Sequence, residues 1–121
     1  MARARDAVGA RFRLHGRDPA DGLDCVGLAA HAFGIADVPT GYAMRRGDAD
    51  GLASLIAAAG LARVEDARPG DLLMLRAGPG QLHLGVAVAN GMVHADAASR
   101  RVVERPGPPP WPVLARFRAE G

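Results

Sequence analysis

The chain contains no lysine; all 15 of its basic residues are arginine. We read this as a habit of composition and attach no chemistry to it. Aromatic side chains make up only 4% of residues, so aliphatic side chains and alanine must fill the core. The arginines are not interleaved with the aromatics that stack nucleic-acid bases. There is a single cysteine, Cys25, which excludes an internal disulfide and frees the fold from dependence on an oxidising compartment. No stretch approaches the roughly 20 apolar residues that cross a bilayer. The opening run Met1 to Asp6 lacks the apolar segment of a secretion signal, so the expectation is a protein made and kept in the cytoplasm unless another machine carries it out. No pair among His15, Cys25, His83 and His94 has the tight spacing of a zinc knuckle, and no metal or cofactor is expected.

What is present suffices for one domain spanning residues 1–121. The chain has 121 residues, 49% of them hydrophobic, enough for a single core without staples. The formal net charge of +2 is small, and the arginines gather towards the ends of the sequence. The expected reading is a solvated surface, with no nucleic-acid partner and no membrane partner.

Helical patterns come first. Residues 2–12 predict a short helix with Ala7, Val8 and Phe12 as its buried side chains, and residues 13–23 read as a loop around Gly16, Pro19 and Gly22. A helix follows from Cys25 to Phe33, closed by Gly34. Residues 34–49 read as irregular. A second helix, capped by Asp48 or Asp50, carries Leu52, Leu55 and Ile56 on one face and ends at Gly60.

From residue 61 the period changes to two. Leu61 to Val64 reads as a short edge strand, Asp71 to Arg76 as a central one, and Leu82 to Ala89 as an alternating strand with Leu82, Leu84, Val86 and Val88 on the core face. His83, Gly85 and Ala87 take the other face. Asn90-Gly91 is a hairpin signal. Met92 to Ala95, Arg101 to Arg105 and Val113 to Arg118 complete the strands. The run Gly107-Pro108-Pro109-Pro110-Trp111-Pro112 between them reads as a stiff connector. Helices followed by antiparallel strands make an α+β domain.

The chemistry converges on Cys25. A thiol at a helix N-terminus meets unpaired backbone N–H groups and the positive end of the dipole, which favour its thiolate. A free cysteine is otherwise a small buried hydrophobe, but flanking Gly22 and Asp24 argue against deep core. One thiol and one imidazole are the minimum for cysteine nucleophilic catalysis, and His83 sits on the non-core face beside small residues. A two-residue Asn90-Gly91 loop would place His94 opposite Ala87. It would leave His83 and His94 four residues apart along the ladder, about 13 Å, too far for a hydrogen bond without a bulge or a wider loop. Asp96 has the same parity, so the group that orients His83 stays open between His94 and Asp96.

Three strings in this order resemble the NlpC-type cell-wall cysteine peptidases, whose fold is papain-like. They are Asp24-Cys25-Val26-Gly27-Leu28, then Pro69-Gly70-Asp71-Leu72-Leu73, then His83-Leu84-Gly85 followed by Asn90-Gly91-Met92-Val93-His94. The segment from Phe12 to Cys25 looks like the subgroup found in phage tails and gene-transfer particles. The resemblance implies a minimal papain-like domain with N-terminal helices packed on a C-terminal antiparallel sheet. It implies Cys25 as nucleophile, His83 as general base and His94 as the residue that orients it, with the backbone N–H of Cys25 in the oxyanion hole. The substrate would be a peptidoglycan stem peptide cut between D-glutamate and diaminopimelate. Phe12, Asp24 and Val26 would lie along the substrate, and phage-like tail proteins would be partners. Many relatives carry serine at the position of Val26 and tyrosine at that of Phe12; both missing hydroxyls bear on specificity more than on chemistry. The same fold without turnover, as a structural or binding module of a tail, is the alternative.

Overall fold

Among the described residues there are three helices and eight strands, most of them built from the patterns above. The computed structural model describes residues 2–35 and 48–119; the expected irregular stretch 34–49 lies largely outside them. Helix α1 (Ala2–Asp6) is shorter than expected. It stops because the backbone beyond it pairs elsewhere: Gly9 N–H donates to Val102 O at 2.8 Å, Val102 N–H to Ala10 O at 2.9 Å and Phe12 N–H to Arg100 O at 2.9 Å. Ala7 is buried, whereas Val8, expected inside, is 43% exposed. The expected loop 13–23 contains a small antiparallel pair, β1 (Arg17–Asp18) and β2 (Gly22–Leu23).

Helix α2 (Cys25–Phe33) has the predicted bounds, with Asp24 as N-cap and Gly34 at φ 66° as the left-handed stop. Helix α3 (Ala49–Ala58) is capped by Asp48, and Gly60 follows at φ 99°. The remaining strands are β3 (Leu61–Val64), β4 (Leu72–Gly78), β5 (Gln81–Val88), β6 (Gly91–Asp96), β7 (Arg101–Pro106) and β8 (Val113–Ala119). They form one antiparallel sheet in the order β3-β8-β4-β5-β6-β7. The α+β expectation holds, and β3 is the edge strand it reads as.

Alternation divides the sheet into two faces. Leu72, Met74, Leu82, Leu84, Val86, Val88, Ala115 and Phe117 join Leu28, Leu52 and Ile56 of the helices in the main core. Leu73, Leu75 and Met92 form a smaller cluster on the other face, with Ala87, Trp111 and Val113 packed on it. The Pro69-Gly70-Asp71 turn is pinned by charge. Asp71 is 1% exposed and receives Arg118 Nε at 2.7 Å, Arg118 Nη2 at 3.0 Å and the Arg68 N–H at 2.9 Å. A buried carboxylate needs such partners, and this one ties the last strand to the start of β4.

Candidate active site

The start of α2 is held by its own cap. Asp24 Oδ1 accepts from Gly27 N–H at 2.7 Å and from Arg17 Nη1 at 2.9 Å, and Oδ2 accepts from the His15 N–H at 2.8 Å. The helix also lies hard against the backbone before it. A Cβ at Gly27 would run into the carbonyl oxygen of Gly16, which accounts for glycine two positions after the cysteine. Asp24 therefore builds the helix start; the expectation of a substrate contact meets a carboxylate already engaged three times.

Cys25 is a free thiol and only 8% exposed, part of the main core. This corrects the expectation drawn from its polar neighbours. It also corrects the expected thiolate: burial pushes the thiol up to about 12, and the Asp24 carboxylate pushes the same way. The backbone hydrogen bonds of Leu84, Val26 and Cys25 itself favour the anion but do not outweigh burial. The helix end was expected to stabilise the sulfur, but its cap is a carboxylate that takes up the Gly27 N–H.

The backbone hydrogen bond with Leu84 brings the sulfur to β5, the strand that also carries His83. Pairing between β5 and β6 runs from Val88–Gly91 to Gly85–His94 and ends there. The two strands part at the level of residues 83 and 84, where the sulfur meets β5.

The histidines do touch. His83 Nε2 and His94 Nδ1 are 3.0 Å apart, with ring centroids at 5.2 Å and planes at 89°. The expected separation of four residues fails because the hairpin loop is Ala89-Asn90, one residue earlier than the Asn90-Gly91 signal suggests. Asn90 takes the left-handed φ of 65°. Gly91 opens β6 because a Cβ there would strike the Arg105 carbonyl oxygen. The shift places His94 opposite Gly85, a diagonal two residues from His83 and within reach of a ring. His94 is 3% exposed.

Asp96 is turned into its own bend, accepting from the Ala98 N–H at 3.1 Å and from Ser99. Its carboxylate acts on the pair only at a distance. Burial lowers His83 to about 4, the neighbouring His94 adds to this, and Asp96 opposes it. Burial likewise lowers His94; Asp96 opposes and Arg105 assists. The resting groups are thus a neutral thiol and neutral imidazoles rather than a thiolate and an imidazolium.

Phe12 and Val26 are half-buried against the main core. The residue that sequence reasoning missed is Trp111. Its ring lies 5.4 Å from that of His83 and 5.6 Å from that of His94, nearly perpendicular to both. Its only signal was an aromatic residue amid prolines, in a chain poor in aromatics. Among the described residues no group of three His, Cys, Asp or Glu side chains could hold a metal ion, and no helix is long and apolar enough to cross a membrane.

Neither protein-family models nor the curated proteins give a match to this chain. Solved structures do. The NlpC/p60 domain of the peptidoglycan hydrolase SagA is 23% identical, with a TM-score of 0.58 over 87% of this chain and 84% of that one. The P60 domain of an antigen from M. avium subspecies paratuberculosis is 22% identical, with a TM-score of 0.59 over 98% and 89%. NlpC1 from Trichomonas vaginalis is 23% identical at a TM-score of 0.69; the alignment covers 98% of this chain and 41% of that protein. With helices packed on a six-stranded antiparallel sheet, this chain has the papain-like fold of the NlpC/p60 domains.

Proposed function

We propose that the protein is a cysteine endopeptidase that hydrolyses an amide bond in peptidoglycan stem peptides, with D-glutamyl–diaminopimelate as the bond cut. The observation that carries the reading is the 3.0 Å contact between His83 Nε2 and His94 Nδ1, on the strand whose Leu84 backbone meets the Cys25 sulfur. With its proton on Nε2, His83 donates to His94 Nδ1 and keeps the lone pair of Nδ1 to act as base. His94 selects that tautomer and orients the ring, as the third member of a triad does.

Cys25 Sγ attacks the scissile carbonyl carbon while its proton passes to His83 Nδ1. The carbonyl oxygen becomes an oxyanion held by the Cys25 N–H. Collapse expels the amine of diaminopimelate, which takes the proton from His83, and leaves a thioester on Cys25. Water, deprotonated by His83, cleaves the thioester and restores the thiol. Because the resting groups are neutral, proton transfer accompanies attack rather than preceding it. Val26 and Phe12 line the substrate with apolar surface where hydroxyl groups could stand. Delivery inside a phage-like tail or gene-transfer particle is the proposed route to the wall and rests on the resemblance of residues 12–25.

The test is digestion of purified sacculi, with the soluble fragments identified by mass spectrometry. Fragments ending at D-glutamate and new diaminopimelate amino groups are expected. A second reading, a tail module that binds stem peptide without turnover, is favoured by the raised thiol. Retention on sacculi with no soluble fragments would establish it instead.

A further inference from the structure

Trp111 stands on the histidine face and takes no part in the steps above. Its ring meets His83 and His94 edge to face at 79° and 80°, within the separations that such aromatic pairs favour. The two imidazoles meet each other the same way, so each of the three rings touches the other two. Leu73, Leu75, Met92 and Val113 support the indole from the same face of the sheet.

The segment that delivers it is stiff. Pro108, Pro109, Pro110 and Pro112 fix φ on both sides of the tryptophan, and this lowers the entropy lost on ordering it. Arg76 N–H donates to Pro112 O at 3.1 Å and anchors the strap to β4. A register shift between Met74 and Leu75 in the pairing of β4 with β8 re-aims the chain just after Trp111.

We propose that Trp111 is a positioning residue for the reaction assigned above: it clamps the two imidazoles edge-on and covers them from water, so that His83 remains an aligned, desolvated base. The inference rests on that reading of the site. Other groups also act on the pair. Asp96 on β6 favours protonation of both rings, and Arg105 on β7 disfavours it at His94. From α2, Cys25 reaches the Leu84 backbone of β5, Arg116 stands on β8 opposite Leu73, and Leu75, opposite His83 on β4, is uncharged. Burial leads the causes that hold His83 low, and the indole is part of that cover.

The test is an NMR titration of the imidazole signals in the full chain, for the wild type, Trp111→Ala and Trp111→Phe. In Trp111→Ala the His83 midpoint should rise by at least one pH unit, a tenfold gain in proton affinity, and both rings should lose the ring-current shift imposed by the indole. The acid limb of the activity profile should move up with it, with kcat falling more than KM rises. Trp111→Phe should restore most of both. A folded Trp111→Ala protein with both histidine midpoints unchanged overturns the proposal. If that variant does not fold, Trp111→Leu keeps apolar volume without the ring edge, and the same two outcomes apply. The titration needs no turnover. An inactive wild type would therefore sink the assigned reaction while the clamp was still decided by the histidine midpoints.

Discussion

The reactivity of Cys25 is set by two opposing surroundings. The backbone hydrogen bond of Leu84 favours a thiolate, but burial and the Asp24 charge oppose it more strongly and push the thiol to about 12. Alkylation of the free protein by iodoacetamide should therefore be slow near pH 6 and climb steadily into the alkaline range; a rate already at its plateau below pH 7 would refute the neutral resting thiol. Replacing Asp24 with asparagine keeps an N-cap acceptor while removing the nearby charge, so Asp24→Asn should speed alkylation at any given pH. Replacement of His94 by alanine should lower kcat by about a hundredfold or more, the scale at which a misdirected acid–base catalyst fails, and steady-state kinetics on a stem peptide will measure it. Residue type and motif order pick out Cys25 and His83 as candidates and leave His94 and Asp96 as rivals; the fold brings His94, not Asp96, to His83. The protonation states of these groups were not legible in the sequence. Those depend on how completely the fold withdraws each group from water and on which donors Asp24 takes, and neither is written in spacing.

At the scale of elements, the site depends on two close approaches that only glycine permits. Gly27 lets the first turn of α2 rest on the Gly16 carbonyl oxygen, and Gly91 lets β6 lie beside Arg105 in β7. Gly27→Ala forces an extra methyl into a packed contact, which costs about 1–3 kcal/mol; urea denaturation should show the lower midpoint, and alkylation should report a displaced Cys25. The helices and strands themselves were largely readable. The Cys25 helix, its Gly34 stop and the edge strand follow from local periodicity and capping, and Asp48 is one of the two caps they allow for α3. The register of the β5–β6 hairpin did not follow, because the turn dipeptide fits two loops. The choice between them is made by Gly91 against β7, a contact formed by a strand ten residues away. The short α1 failed for the same reason: residues 9–12 found partners at Arg100 and Val102. Trp111 was hidden because it reaches β5 from a segment almost thirty residues away in sequence, where no periodicity points.

For the molecule as a whole, burying uncharged titratable groups links stability to pH at both ends. His83 titrates near 4 when folded against an ordinary value of 6.5, and His94 is also lowered. The folded state binds fewer protons in that interval, so this stabilisation is complete above pH 6.5 and is lost as pH falls through 4. Cys25 is raised from 9.0 to about 12; its contribution is complete below pH 9 and is lost as pH rises towards 12. Denaturant midpoints should hold level between those limits and fall on either side, and His83→Gln should flatten the acid side. The arrangement sets a buried thiol against the backbone of the strand that carries His83, which touches His94, on a fold shared with the NlpC/p60 domains. The claim at its centre is that this sulfur performs the attack. The measurement that tests it most directly is the rate of fragment release from purified sacculi by the Cys25→Ala protein, with folding confirmed by circular dichroism. The account predicts release indistinguishable from a blank beside a readily measured wild-type rate; release by Cys25→Ala at the wild-type rate would contradict it.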